Sequence, residues 1–482
     1  MKTPQHQLYS FLCILCFVFS ANSPLLAQNI SFTITDAMQW QAYDDFNEAL
    51  LDKSRNIYMA DTEQPSADHR GNGARDNDRS GCAAAIWCQA IFYDMVINAY
   101  NRAKAEGNEE LMNKYKDLHS KIYKGEKAHY VNFNFHDANT NTGWFVYDDI
   151  MWWTCALARA YEAFGTQEYL IFSERSFLRV WYGSSTVGDD GSYADPARFS
   201  GKAGGGMFWE WQPINNPKPH QAGDFRSACI NFPTVIAACL LHQFVPEGRT
   251  APSGARPSRQ TKEWYLEKAK EIYDWASNTL VPSNGRVADG IHGGDPEYSD
   301  HLYNQATYIG ASCLLYKLTG EEKYKTNALT ATRYVFLRMV NGRRILKYEN
   351  GYEQGIYTAI FAQYLPMVVY DLGDTTYLPY IQRNMQTAWD NRDTGRGLQG
   401  GDFTKSTSST DVVESYGASA MPALMLMFPA HAMTDGISET INYKLSTVNY
   451  KLSPAYTLSG TPFQPPFRRG LYVIGGHKVM VR

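Results

Sequence analysis

The sequence predicts an all-α fold, a closed double ring of about twelve helices followed by a small β-rich tail, and three observations predict it. Between Asp36 and about Ala430 apolar residues recur at i, i+3, i+4 and i+7, with hardly any alternating strand pattern. A weak repeat runs through Gly107-Asn-Glu-Glu-Leu111, Gly165-Thr-Gln-Glu-Tyr169, Gly320-Glu-Glu-Lys-Tyr324 and Gly373-Asp-Thr-Thr-Tyr377. In each, the glycine suits a left-handed helix stop, the polar residues after it suit the next helix start, and the apolar residue one turn on docks that helix back. Tight antiparallel helix hairpins recurring along one chain build ring-like architectures. After Ala430 the period changes to two.

Taken in order, the apolar stripes predict helices over 36–59, 81–104, 108–127, 147–164, 166–182, 224–243, 261–280, 302–318, 321–340, 355–371, 374–390 and 415–430. The longer joints, 129–146, 183–223, 281–301 and 391–414, are rich in Gly, Asn, Asp and Trp. In a closed ring they gather at one end, as binding loops on a rigid scaffold do. The Pro, Ser and Gly of 249–259 read as an exposed loop on the opposite side. In the tail, Leu471-Tyr472-Val473-Ile474 and Val479-Met480-Val481 flank Gly475-Gly476 as the arms of a hairpin.

At the other end Lys2, the apolar run Leu8 to Phe19 and the close Leu25-Leu26-Ala27-Gln28 have the three regions of a secretory signal, with cleavage expected after Ala27. Leu12 and Leu15, before Cys13 and Cys16, are not the small residues a lipoprotein signal uses. The expected organisation is a signal over 1–27, a catalytic domain over 28–437 and a tail over 438–482, in a secreted protein of the periplasm, outer surface or medium. No later stretch approaches the ~20 consecutive apolar residues of a membrane span.

The most informative stretch is Gly143-Trp144-Phe145-Val146-Tyr147-Asp148-Asp149-Ile150-Met151-Trp152-Trp153, two adjacent carboxylates inside an aromatic collar. Breaking a glycosidic bond requires one carboxyl to donate a proton while another stays ionised. Adjacent acids resist joint ionisation, and aromatic neighbours add desolvation, so their pKa values separate. Asp44-Asp45, on a polar helix face, and Asp189-Asp190, in a turn before Gly191, lack the collar and read as solvated.

Composition agrees. Aromatic residues make up 14% of the 482, including 33 Tyr and 11 Trp, which suits clefts that grip sugar rings. The net charge of −4, without a basic run interleaved with aromatics, argues against nucleic acid. Cys82, Cys88, Cys155, Cys229, Cys239 and Cys313 read as buried thiols, with a Cys82/Cys88 bridge allowed but not demanded. No metal-ligand spacing is present, and Asp137-x-Asn139-x-Asn141 lacks the glycine register and closing Glu of a calcium loop, so no metal or cofactor is expected.

With these residues in place, the chain resembles glycoside hydrolase family 76, bacterial endo-α-1,6-mannanases built on an (α/α)6 barrel. The stretches that carry the resemblance are Ala84-Ala85-Ile86-Trp87-Cys88-Gln89-Ala90, Trp144 to Asp149, Gly204-Gly205-Gly206-Met207-Phe208-Trp209, Tyr303-Asn304-Gln305, Gln354-Gly355-Ile356-Tyr357 and Ser415-Tyr416-Gly417-Ala418-Ser419-Ala420. They span roughly 36 to 430. The departures are Ala306 after the Tyr-Asn-Gln motif, Met-Phe-Trp closing the glycine loop, and Tyr357 and Ala359 in the late helix start.

The resemblance implies hydrolysis of α-1,6-linked mannan with retention, Asp148 as nucleophile and Asp149 as acid/base. Trp144, Tyr147, Trp209 and Trp211 are expected to stack on sugar, and Tyr303, Asn304 and Gln305 to bond its hydroxyls. Trp152 and Trp153 are read as core. Asp289, His292 and Asp295 either face the cleft or merely turn the chain. The expected partner is the polysaccharide alone, bound by a monomer. Transglycosylation on the same linkage and non-catalytic glycan binding remain alternatives, as does a sorting role for the tail.

Overall fold

The structure, a computed structural model, describes residues 31–63, 83–135, 146–183, 192–213, 216–349, 351, 353–434 and the backbone of 455–457, 462–463, 470–474 and 477–481. The signal, the proposed Cys82 partner of Cys88, the Asp137–Asn141 segment, Trp144 and Asp189-Asp190 lie outside the described residues.

Helix α1 (Asp36–Leu50) begins at Thr35, whose hydroxyl accepts from Met38 N. It stops well before the expected end at 59. Asp52 Oδ1 accepts from Ser54 N at 2.8 Å and Asn56 takes a left-handed φ of 56°, which turns the chain so that β1 (Leu51–Asp52) pairs with β2 (Ile57–Tyr58). The apolar spacing persisted through a hairpin, and the turn chemistry won.

The remaining helices fall close to expectation. They are α2 (Ile86–Ala105), α3 (Glu109–His129), α4 (Tyr147–Phe164), α5 (Gln167–Tyr182), α6 (Ala228–Phe244), α7 (Lys262–Leu280), α8 (Leu302–Thr319) and α9 (Glu322–Arg338). Then follow α10 (Tyr357–Pro366), continued by a π turn over 367–371, and α11 (Leu378–Asp390). The last predicted helix is split into α12 (Ser415–Ala418), α13 (Ala420–Met427) and α14 (Ala430–Thr434). Two short strands, β3 (Arg226–Ser227), just before α6, and β4 (Gly290–Ile291), midway along the joint before α8, pair with each other. The four hairpin glycines all adopt the predicted left-handed conformation, with φ of 67° at Gly107, 68° at Gly165, 71° at Gly320 and 75° at Gly373.

Packing makes a closed ring. Helices α2, α4, α6, α8, α10 and α13 contact one another in sequence, and α13 returns to α2. Outside them α3, α5, α7 and α9 each cover the preceding inner helix, while α11 and α1 lie on α13. Inner helices are buried all round: every residue from Tyr147 to Ala160 of α4 is in the core. Outer helices bury one stripe, as α7 does with Tyr265, Ala269, Ile272, Tyr273, Ala276 and Leu280. The first and last elements are clasped by the wholly buried Arg102, which donates to Asp36 Oδ1 at 2.7 Å, Glu106 Oε1 at 2.7 Å and Met425 O at 2.8 Å. Among the described residues no helix is long and apolar enough to cross a membrane.

In the tail, β5 (Ala455–Thr457), β6 (Pro462–Phe463), β7 (Gly470–Ile474) and β8 (His477–Val481) form an antiparallel sheet in the order β6-β5-β7-β8. The predicted hairpin is present, with Leu471 opposite Met480.

Candidate active site

Because the outer helices return the chain, every inner helix starts at the same end of the ring. Val146 precedes α4 in extended conformation, which places Asp148 and Asp149 as its second and third residues, both buried. Successive helix positions diverge by about 100°, so the two carboxyls face different neighbours. Asp148 lies beside Cys229 and Trp209 on the α6 side, and Asp149 beside Glu353, which precedes α10.

Trp209 reaches Asp148 because its backbone is pinned twice. Its carbonyl accepts from Tyr147 N at 2.9 Å, which satisfies a free N–H of the first turn of α4, and its N–H donates to Phe225 O at 2.9 Å. The glycine loop behind it is scaffold. Gly205 and Gly206, with φ of 88° and 81°, lie so close under Trp275 that a Cβ on Gly206 would sit 2.3 Å from that ring. Arg226 ties the loop down by donating to Ala203 O and Gly205 O.

Electrostatics separate the aspartates. Burial pushes Asp148 up to about 6, opposed by bonds from the Cys229 thiol, backbone amides and the Trp209 indole. Burial, the Asp148 charge and then the Glu353 charge raise Asp149 well above the carboxylate range. The helix N-terminus favours the ionised form of Asp148. Asp148 Oδ1 has no hydrogen-bond partner among the described residues.

The other predicted residues divide. Tyr303 stacks on Tyr357 with centroids 4.1 Å apart and is within electrostatic reach of Asp148. Asn304 donates to Asp289 Oδ1 at 3.0 Å, and its own Oδ1 is buried with no partner among the described residues. Trp211, partly exposed, lies over the Arg179 guanidinium at 4.9 Å.

Two expectations of sugar contact are corrected. Gln305 Oε1 accepts from Val287 N and its Nε2 donates to Gly285 O and Ala331 O, so its whole amide holds the 285–287 turn against α9. Tyr147 is fully buried and its hydroxyl accepts from Gln212 N at 3.2 Å. Both are supports. Trp152 and Trp153 are buried as expected. Of the joint 281–301, Asp289 belongs to the cluster, whereas His292 stacks on Phe225 and Asp295, on the surface, pairs with Lys202.

Sequence reading missed Glu349, Glu353, Cys229 and His301. Glu349 accepts from His301 Nδ1 at 2.7 Å and from Leu302 N at 2.8 Å, capping α8. Burial alone would lower the His301 imidazole, yet the bond to Glu349 and the charges of Glu349, Asp289 and Asp300 hold it above its usual value. Of the four missed residues, Glu353 carried a local signal, because it stands one helical turn before the start of α10. Asp36, Glu106 and His431 also bring three ligand atoms together, but the Arg102 guanidinium already bridges the two acids.

Two adjacent buried carboxyls with unequal surroundings, set at the mouth of a helical double ring, are the equipment of a glycoside hydrolase. The chain belongs to glycosyl hydrolase family 76, which it matches over residues 63–436. Comparison with curated proteins gives no match. Among solved structures, the GH76A α-1,6-mannanase of Salegentibacter sp. HEL1_6 is 22% identical, covering 81% of this chain and 98% of its own, with a TM-score of 0.61. An inactive variant of that mannanase, with two successive aspartates replaced, is known in complex with α-1,6-mannotetrose. A family 76 mannosidase from Bacteroides thetaiotaomicron is 17% identical over 81% of this chain and 96% of its own, with a TM-score of 0.61. Dfg5 from Chaetomium thermophilum, in complex with glucosamine, is 13% identical over 83% and 92%, at 0.54.

Proposed function

We propose that this enzyme cleaves α-1,6-mannosidic bonds within mannan and retains the anomeric configuration. The observation that carries the proposal is the unequal environment of Asp148 and Asp149 on one helix turn. A retaining pair needs carboxyls only ~5–5.5 Å apart, a separation that neighbouring residues of one helix supply. Asp149 donates its proton to the glycosidic oxygen while Asp148 attacks the anomeric carbon, and the aglycone leaves as an alcohol. Water then attacks the same carbon, Asp149 takes its proton, and Asp148 is released.

Trp209 and Tyr303 offer aromatic faces beside the reacting carbon, and Asn304 Oδ1 offers an acceptor to a sugar hydroxyl. The mannanase and mannosidase among the structural neighbours support mannan as substrate. Export through residues 1–27, with catalysis confined to 28–437 and the tail dispensable for turnover, is part of the same proposal. The test is digestion of debranched yeast mannan by the full chain, with products followed by chromatography and by the anomeric proton signal. Short oligosaccharides that first appear as the α-anomer support the reading. Release of the β-anomer overturns retention, longer transfer products indicate transglycosylation, and binding without any product indicates a glycan-binding protein.

A further inference from the structure

Glu414, the residue before α12, forms a single antiparallel bridge with Asp61, flanked by bonds from Thr62 N to Val413 O at 3.1 Å and from Ser415 N to Ala60 O at 2.8 Å. Opposed residues of an antiparallel pair project to the same face. Here both line a cavity of about 570 Å³, together with Tyr348, Gly401, Val412 and Gly417. The size suits a small-molecule site.

Its place ties it to the catalytic centre. Gly417 packs backbone to backbone on Gly355, so that a Cβ on Gly355 would lie 2.6 Å from Gly417 N, and Glu353, two residues earlier, is the acid beside Asp149. Tyr348 directly precedes Glu349, which caps α8. The cavity therefore adjoins the Asp149 side of the site, away from Cys229 and Trp209, which flank Asp148.

Most polar groups around it are committed to the fold. Asp61 Oδ1 accepts from Glu63 N at 2.8 Å, Asp402 Oδ1 from Thr404 N at 3.0 Å and Asp411 Oδ2 from Ser408 N at 2.7 Å, while Lys405 pairs with Asp402. Two groups are left over. Glu414 and Tyr348 are half-buried, and neither the carboxyl nor the hydroxyl has a hydrogen-bond partner among the described residues. Burial and then the Asp61 charge raise Glu414 to about 7, so its carboxyl accepts a hydrogen bond when ionised and can also donate one when protonated. The acids of the cavity repel an anion. Nor do they converge as metal ligands do, since among the described residues no three of their oxygens lie within 4.8 Å of one another. A carboxyl and a phenol hydroxyl on a half-buried ring suit a neutral pyranose, which presents hydroxyls at its edge and C–H groups on its faces.

We infer that this cavity is a sugar subsite on the leaving-group side of the cleft, where Glu414 and Tyr348 bond hydroxyls of a neutral hexopyranose unit of the departing chain. The leaving-group side, and mannose as the unit, rest on the function proposed above. Binding so far from the reacting carbon favours long chains over short ones.

The experiment compares kcat/KM for α-1,6-mannohexaose with that for α-1,6-mannotriose in the full chain, a ratio from which general damage to the aspartate pair cancels. Glu414→Ala is expected to lower the ratio about tenfold, the worth of a hydrogen bond to a charged group, and Tyr348→Phe to lower it less. Removing a carboxyl that burial disfavours does not endanger the fold. Val412→Arg, at a rim residue 51% exposed, fills the cavity from outside and lowers the ratio as well. Should the chain cleave neither sugar, the same variants are titrated calorimetrically with mannohexaose in the Asp148→Asn, Asp149→Asn background. Weaker binding by Glu414→Ala then upholds the subsite and takes down only the hydrolytic reading. A ratio or an affinity indifferent to Glu414→Ala and Val412→Arg, or no binding of the hexaose at all, overturns the subsite. So does a rise in Tm with calcium that Glu414→Ala abolishes, which would make the cavity a cation site.

Discussion

Trp87 Nε1 donates to Glu353 Oε2 at 2.5 Å, and the carboxylate so fixed contributes to the raised pKa of Asp149. Trp87 stands at the start of α2, Glu353 before α10, and Asp149 on α4, so three inner helices meet at this contact. The charge of this third acid favours the protonated form of Asp149.

Glu353→Gln keeps an acceptor for the indole and removes the charge. Asp149 then loses its proton at lower pH, and the basic limb of the kcat/KM profile moves acidward. The acidic limb, set by Asp148, stays where it was. A profile that scales down without moving would reduce Glu353 to a purely structural role.

Division of labour between the aspartates is checked with two leaving groups. Asp149→Asn is expected to lose about 10²–10⁴-fold on mannan, the usual worth of a general acid. Much of that loss disappears on an aryl mannoside whose phenolate departs unaided. Asp148→Asn fails on both substrates. The opposite pattern would exchange the two roles.

What the sequence made legible follows physical rules that act locally. Gly107, Gly165, Gly320 and Gly373 announced their hairpins because a left-handed helix stop is almost a glycine prerogative, and the aspartate pair stood out by adjacency. Glu349 and Glu353 come from the joint before α10 and Asp289 from the joint before α8, and only ring closure brings these joints together with the start of α4. Tyr147 and Gln305 were misread for the same reason: a motif gives residue type but not facing, and burial is settled by neighbours far away in sequence. Cys229, one residue into α6, carried no local sign that its thiol would bond a carboxylate.

The glycines separate two kinds of cost. At Gly320 a Cβ meets nothing within 4 Å, so Gly320→Ala is expected to cost only the left-handed backbone penalty, about 1–2 kcal/mol, with activity intact. At Gly417 a Cβ would lie 2.7 Å from Gly401 N, and one on Gly355 would lie 2.6 Å from Gly417 N. Gly417→Ala therefore pushes apart the backbone beneath Glu353 and is expected to lower activity as well as Tm. Denaturant melts and turnover of the two variants check this, and equal activity in both would detach the 400–417 joint from the site.

Removing either catalytic carboxylate is expected to stabilise the fold at neutral pH. Folded-state burial raises the pKa of Asp148 from 3.8 to about 6 and that of Asp149 well above 3.8. Where a folded pKa exceeds the unfolded one, the native chain binds the proton more tightly; that contribution is complete below the unfolded pKa and is lost as pH rises through the folded one. For Asp148 the window runs from about 3.8 to about 6, and for Asp149 it extends higher. Asparagine has no proton to lose, so Asp148→Asn and Asp149→Asn keep what the wild type forfeits on ionisation. Melting curves should show both variants above wild type at pH 7, with the gap narrowing as the pH falls toward 4. A gap that stayed constant across that range would mean that packing of the amide, rather than relief of a buried charge, sets the difference.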